Sequence, residues 1–101
     1  MTLRPAPVEH RRTIRVVNAQ GLHARPCHAI VTRALTFQSE LAIRKGARSV
    51  NGKSILELMT LSAGPGTELE LVARGPDGSE LVAAVAALFE GCFGEERDPA
   101  H

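Results

Sequence analysis

From Thr13 onward the hydrophobic pattern repeatedly switches between a period of two and a helical period, and the segments between these stretches are only a few residues long. Thr13 to Val17 is β-branched and alternates, as in Ile14-Arg15-Val16, which suits a strand covered on one face. Asn18 to Gly21 then turns the chain. Beyond His23, the residues Cys27, Ile30, Val31, Ala34 and Leu35 recur at helical spacing, with Arg25, His28, Thr32 and Arg33 on the opposite side. Pro26 falls in the first turn of this helix, where a missing N–H costs nothing. Glu40 to Lys45 alternates again with Leu41 and Ile43 inward, and Gly46-Ala47 turns it into a short strand, Arg48 to Asn51.

Ser54-Ile55-Leu56-Glu57 has the capping-box pattern, so a short helix is expected through about Met59 or Leu61. Gly64-Pro65-Gly66 breaks the chain, and Thr67 to Ala73 alternates with Leu69 and Leu71 on one side and Glu68 and Glu70 on the other. After Gly75-Pro76-Asp77-Gly78, Ser79 is the expected cap of a last helix with an apolar stripe of Leu81, Val82, Val85, Leu88, Phe89 and Cys92. The order β-α-β-β-α-β-α with short connections implies an α+β fold: a four-stranded, mainly antiparallel sheet with three helices on one face. The flanks show no periodicity. Residues 1–11 are therefore expected to form a flexible extension and residues 94–101 a flexible tail, around one domain spanning 12–93.

Composition narrows the function classes. A chain of 101 residues supports one core rather than two. Its 12 basic and 11 acidic residues leave a formal charge of +1, too little to draw nucleic acid or an anionic membrane. All aromatic residues are Phe, at 3% of the chain, so the stacking platform of a single-stranded nucleic-acid binder is missing. The longest apolar run, Leu81 to Phe89, is far too short to span a bilayer. Cys27 and Cys92 match no disulfide framework and read as reduced thiols. A soluble cytoplasmic protein without membrane insertion is expected.

His23 stands at the junction of a turn and a helix, beside Arg25. A helix start offers unpaired N–H groups and a partial positive charge, which favour a phosphoryl group. A neutral imidazole is nucleophilic near physiological pH and forms covalent intermediates, and Arg25 is placed to bind phosphoryl oxygens. From spacing alone, the plainer reading that His23 merely ends a loop ranks above this one.

The run Asn18-Ala19-Gln20-Gly21-Leu22-His23-Ala24-Arg25-Pro26 resembles the active-site signature of the histidine-containing phosphocarrier family, HPr, of the phosphoenolpyruvate-dependent phosphotransferase system. A second block, Val50-Asn51-Gly52-Lys53-Ser54-Ile55-Leu56-Glu57-Leu58-Met59-Thr60-Leu61, is similar to that family's regulatory-serine region, and Gly64 to Ala73 resembles its last strand. The similarity spans about residues 12–93 and implies the open-faced β-sandwich of that family. It also implies a phosphoryl carrier, not a stand-alone turnover enzyme: enzyme I phosphorylates His23 on Nδ1, with Arg25 stabilising the group, and an enzyme IIA component receives it. No cofactor or metal is needed. Ser54 then matches the serine modified by HPr kinase/phosphorylase, and Ile55, Leu56 and Met59 match the apolar docking patch. As side chains alone, these three read equally as core; Leu58 is expected inside, and Leu56 and Met59 partly exposed. A carrier that docks two partners in turn is most simply a monomer.

Cys27 and His28 depart from the small residues that usually follow the proline of the signature. Cys27 lies on the apolar stripe and His28 on the Arg25 and Thr32 face. A zinc site from His23, Cys27 and His28 lacks a fourth ligand. Two alternatives share the sequence: a regulatory HPr paralogue that does not serve sugar uptake, and, in a different class, a non-covalent ligand- or metal-binding module.

Overall fold

The alternation in Glu68-Leu69-Glu70-Leu71-Val72-Ala73-Arg74 becomes the strand on which the sheet is organised. A computed structural model describes residues 8–100. The elements run β1 (Glu9–Arg15), α1 (Ala24–Ala34), β2 (Glu40–Lys45), β3 (Arg48–Asn51), α2 (Ile55–Met59), β4 (Glu68–Arg74) and α3 (Gly78–Glu90), followed by a 3₁₀ turn at Cys92–Gly94. The sheet order is β1-β4-β2-β3 and every pairing is antiparallel, so β4 hydrogen-bonds to both β1 and β2. The strand order of an α+β open-faced sandwich is thus reached with short connections.

Register carries the apolar side chains into one layer. Ile14 lies opposite Leu69, Leu71 opposite Ile43, Ala73 opposite Leu41, and Ile43 opposite Val50. These residues are buried together with Ile30, Val31 and Ala34 of α1, Leu58 of α2, and Leu81, Val82, Val85, Ala86 and Phe89 of α3. Each fully buried Leu, Ile, Val or Phe contributes about 1.5–3 kcal/mol relative to exposure. α3 lies against β1 and β4, while α1 packs between α3 and α2. Among the described residues, no helix is long and apolar enough to cross a membrane.

The two expected strands β2 and β3 appear with the bounds read from the sequence, whereas other boundaries move. β1 starts at Glu9 and stops at Arg15, rather than running from Thr13 to Val17, so Glu9 to Arg11, expected in the extension, are part of the sheet. The reason is charge pairing on the open face of the sheet, where Arg11 meets Glu9 and Glu70, and Arg74 meets Glu9. Arg12 points the other way and pairs with Glu90 of α3. Residues 1–7, the rest of the expected extension, and His101 lie outside the described residues. Leu35, expected on the buried stripe of α1, is the helix's C-cap and is 63% exposed, because the helix ends one residue before it.

The N-cap of α3 is Asp77, not Ser79. Its carboxylate does not bond to its own helix. Instead it accepts from the Gln38 and Ser39 amides and the Ser39 hydroxyl, clamping the α1–β2 connection against the start of α3. The Ser39 hydroxyl and these amides hold the Asp77 carboxyl below its ordinary pKa. That contribution to stability is complete above the ordinary value and is lost as pH falls through the lowered one.

Phe89 is buried in the core and meets Phe93 edge-to-face with ring centroids 4.8 Å apart. Phe89→Ala is expected to lower the unfolding free energy by about 3–5 kcal/mol. Leu35→Ala is expected to change it by no more than about 0.5 kcal/mol. Urea unfolding of both variants checks the assignment of inside and outside, which a larger loss from Leu35→Ala than from Phe89→Ala would reverse.

Candidate active site

The turn before α1 is built on a glycine that nothing else can replace without movement. Gly21 has φ +66°, and a Cβ there would stand 2.5 Å from the Ala63 carbonyl oxygen. This closeness lets the Leu22 amide donate to the same carbonyl at 2.8 Å, tying the turn to the loop before β4. Asn18, wholly buried, donates through Nδ2 to the Gly21 carbonyl at 2.7 Å and closes the turn from inside. His23 follows as the N-cap residue of α1, in extended conformation (φ −94°, ψ −173°), with no side-chain cap bond.

The first intrahelical bond runs from the Cys27 amide to the His23 carbonyl, at 3.2 Å. The amides of Ala24 and Arg25 precede it and have no intrahelical acceptor, and Pro26 has no N–H to offer. The helix start beside His23 therefore presents two free donors and the positive end of the helix dipole.

The ring of His23 is held from one side only. Nε2 lies 2.8 Å from Oε2 and 3.1 Å from Oε1 of Glu95. A carboxylate only accepts, so Nε2 carries the hydrogen and donates it, and in the neutral ring the lone pair is left on Nδ1. Among the described residues Nδ1 makes no hydrogen bond. The His23 side chain is 36% exposed, that of Glu95 only 14%. Glu95 is fixed in turn by Asn18, whose Nδ2 also donates to Oε1 at 3.1 Å.

Glu95 belongs to the segment expected as a flexible tail, but that segment is bound to the domain by backbone hydrogen bonds. The Ala19 amide donates to the Glu96 carbonyl and the Asp98 amide to the Val17 carbonyl, each at 2.8 Å, forming a small antiparallel bridge beside the turn. The chain returns there through three successive left-handed residues, Cys92 and Phe93 at φ 55° and Gly94 at φ 74°. For Cys92 and Phe93 this conformation costs roughly 1–2 kcal/mol each. Burial of Cys92 and packing of the Phe93 ring on Phe89 offset it. Sequence reading missed Glu95 because a polar end rich in Gly and acidic residues looks unstructured; the apolar pair Cys92-Phe93 just beyond α3 was the available signal.

The other candidate residues divide between two helices. Arg25 is exposed in the first turn of α1, and no hydrogen bond or ion pair among the described residues engages its guanidinium. Ser54 is the N-cap of α2, and its Oγ accepts from the Glu57 amide at 3.2 Å. The return half of the expected capping box goes elsewhere, since the Glu57 carboxylate accepts from the Asn51 amide and not from that of Ser54. Leu58 is buried, Ile55 packs partly on the core, and Leu56 and Met59 are 81% and 44% exposed. α2 packs on α1, but no hydrogen bond joins its residues to His23. Cys27 is buried beneath the helix start and burial pushes its thiol up, which keeps it protonated. His28 faces a shallow surface groove with Thr32, Thr36 and Leu88, away from Glu95. Cys27 and Cys92 are both buried and unpaired. No group of three or more His, Cys, Asp or Glu side chains converges among the described residues.

A small α+β fold with a partly exposed imidazole at a helix start fits the class of the phosphohistidine carriers. Residues 10–91 match the family model for the HPr component phosphorylation site of the phosphotransferase system. The chain is 44% identical over 85 residues to the phosphocarrier protein HPr of Treponema pallidum, covering 84% of this chain and 97% of that one. It is 41% identical over 85 residues to the HPr of Neisseria meningitidis, covering 84% and 96%. A crystal structure of HPr from Thermoanaerobacter tengcongensis, covering 86% of this chain and 98% of its own, superposes with a TM-score of 0.83 at 39% identity. The chain belongs to the HPr family of phosphocarriers. Glu95 lies beyond the residues that the family model matches.

Because the turn depends on a left-handed residue without a side chain, Gly21→Ala is expected to destabilise the protein by about 1–3 kcal/mol. Equilibrium unfolding measures this directly, and a variant as stable as the parent would mean that the close approach to Ala63 is not required.

Proposed function

We propose that the protein accepts a phosphoryl group from phosphorylated enzyme I on Nδ1 of His23 and passes it to an enzyme IIA component in the cytoplasm, acting as a monomer. The observation that carries this reading is the division of the His23 ring: Nε2 is engaged by Glu95, while Nδ1 is unengaged beside a helix start with two free amides. Arg25, two residues from the acceptor and engaged by no hydrogen bond or ion pair among the described residues, supplies a cation for the phosphoryl oxygens. Partners dock over Ile55, Leu56 and Met59, with Leu56 and Met59 providing the exposed apolar surface.

Ser54 is the site of a second, regulatory phosphorylation by HPr kinase/phosphorylase. A phosphate there adds about two negative charges next to the docking residues. Glu57 already places an acidic residue in the first turn of the same helix, so the modified surface carries a concentrated negative charge that weakens enzyme I docking.

Incubation with enzyme I and phosphoenolpyruvate, followed by mass spectrometry, is expected to give one acid-labile phosphoryl adduct that His23→Ala abolishes and His28→Ala leaves intact. Labelling that persists in His23→Ala, or that His28→Ala removes equally, would overturn the acceptor assignment. With ATP and HPr kinase, a separate acid-stable adduct is expected that is absent from Ser54→Ala. Undiminished labelling of that variant would place the modification elsewhere.

A further inference from the structure

We propose that Glu95 is a positioning residue for phosphoryl transfer, selecting the tautomer of His23 and compensating the charge its ring acquires. The inference rests on the carrier reading. When the Nδ1 lone pair forms the bond to phosphorus, the bond between phosphorus and the donor breaks and its electron pair leaves with the donor. Nε2 keeps its proton, so the ring becomes an imidazolium bearing a phosphoryl dianion. A carboxylate 2.8 Å from Nε2 stabilises that positive ring without taking its proton, and before the reaction it holds the proton on Nε2 so that the lone pair is on Nδ1.

Three features show that the surrounding structure is committed to this contact. Asn18, wholly buried, spends both amide protons on the Gly21 carbonyl and on Glu95, while its Oδ1 is buried with no hydrogen-bond partner. Turning the amide over would set Oδ1 against two acceptors, so the arrangement is fixed by chemistry. The left-handed residues Cys92 and Phe93 reverse the chain after α3, and the bridge between Asn18 and Arg97 anchors the segment just past Glu95. The device thus lies in the segment after residue 91, outside the match to the family model.

The test separates orientation from charge. In the unphosphorylated protein, ring nitrogen resonances are expected to report the Nε2–H tautomer, to keep it in Glu95→Gln, whose amide oxygen still accepts, and to show a mixture of tautomers in Glu95→Ala. Phosphorylation by enzyme I is expected to slow by about 10- to 100-fold in Glu95→Gln, the worth of a hydrogen bond to a charged group. That loss should fall on kcat, with KM and the unfolding midpoint unchanged, since neither docking surface nor core is touched. A wild-type tautomer in Glu95→Ala, or wild-type kcat in both variants, would overturn the proposal. Failure of the carrier reading looks different: the wild-type chain would take no label on His23 at all, whatever the tautomer measured beforehand.

Discussion

Everything in this molecule is hung on β4, which hydrogen-bonds to β1 along one edge and to β2 along the other. Its alternation sends Leu69, Leu71 and Ala73 into the core and Glu68 and Glu70 to the open face. A shift of register by one residue against β1 or β2 would bury glutamates and expose leucines, so the register is fixed by burial. That register in turn fixes the loop before the strand. The Ala63 carbonyl therefore stands where the Leu22 amide reaches it, and the turn carrying His23 is held by a strand that follows it by some forty residues.

The open face follows a different rule. Arg11, Arg44 and Arg74 interleave with Glu9 and Glu70, and exposed pairs of this kind contribute little each. Their effect is on specification more than on stability. Opposite charges in cross-strand register favour the observed pairing of β1 with β4. They also leave β1 able to begin four residues before the β-branched run starts at Thr13.

What the sequence made legible was local. Gly46-Ala47 and the capping Ser54 bounded β2, β3 and α2 because turns and caps act over a few residues. The imidazole at the helix start, the exposed Arg25 and the exposed Leu56 and Met59 were legible for the same reason, or through the resemblance of two short blocks. What escaped was non-local. Asp77 reads as an ordinary turn residue, and only the fold reveals that its carboxylate serves Gln38 and Ser39. Glu57 fits the capping box, yet the amide of Asn51 at the end of β3 competes for it and wins. Glu95 is the extreme case: its role depends on an unusual left-handed turn at two residues that seldom adopt one, and on a contact with Asn18 across nearly the whole chain.

A phosphoryl carrier faces opposing demands on one side chain. Its acceptor atom must be open enough to enter the active sites of a donor and of a receiver, yet an imidazole free to rotate and exchange tautomers presents the correct lone pair only part of the time. The two nitrogens of a single ring resolve this, because they point to opposite edges. One edge of His23 is fastened to a nearly buried carboxylate that is itself fastened to a wholly buried amide; the other edge faces outward beside unpaired helix amides. Rigidity and access then need not be traded against each other. The strain at Cys92 and Phe93 finds its physical rationale in the same arrangement: without that reversal the chain after α3 would run on past the site, and the inner edge of the ring would be left to water.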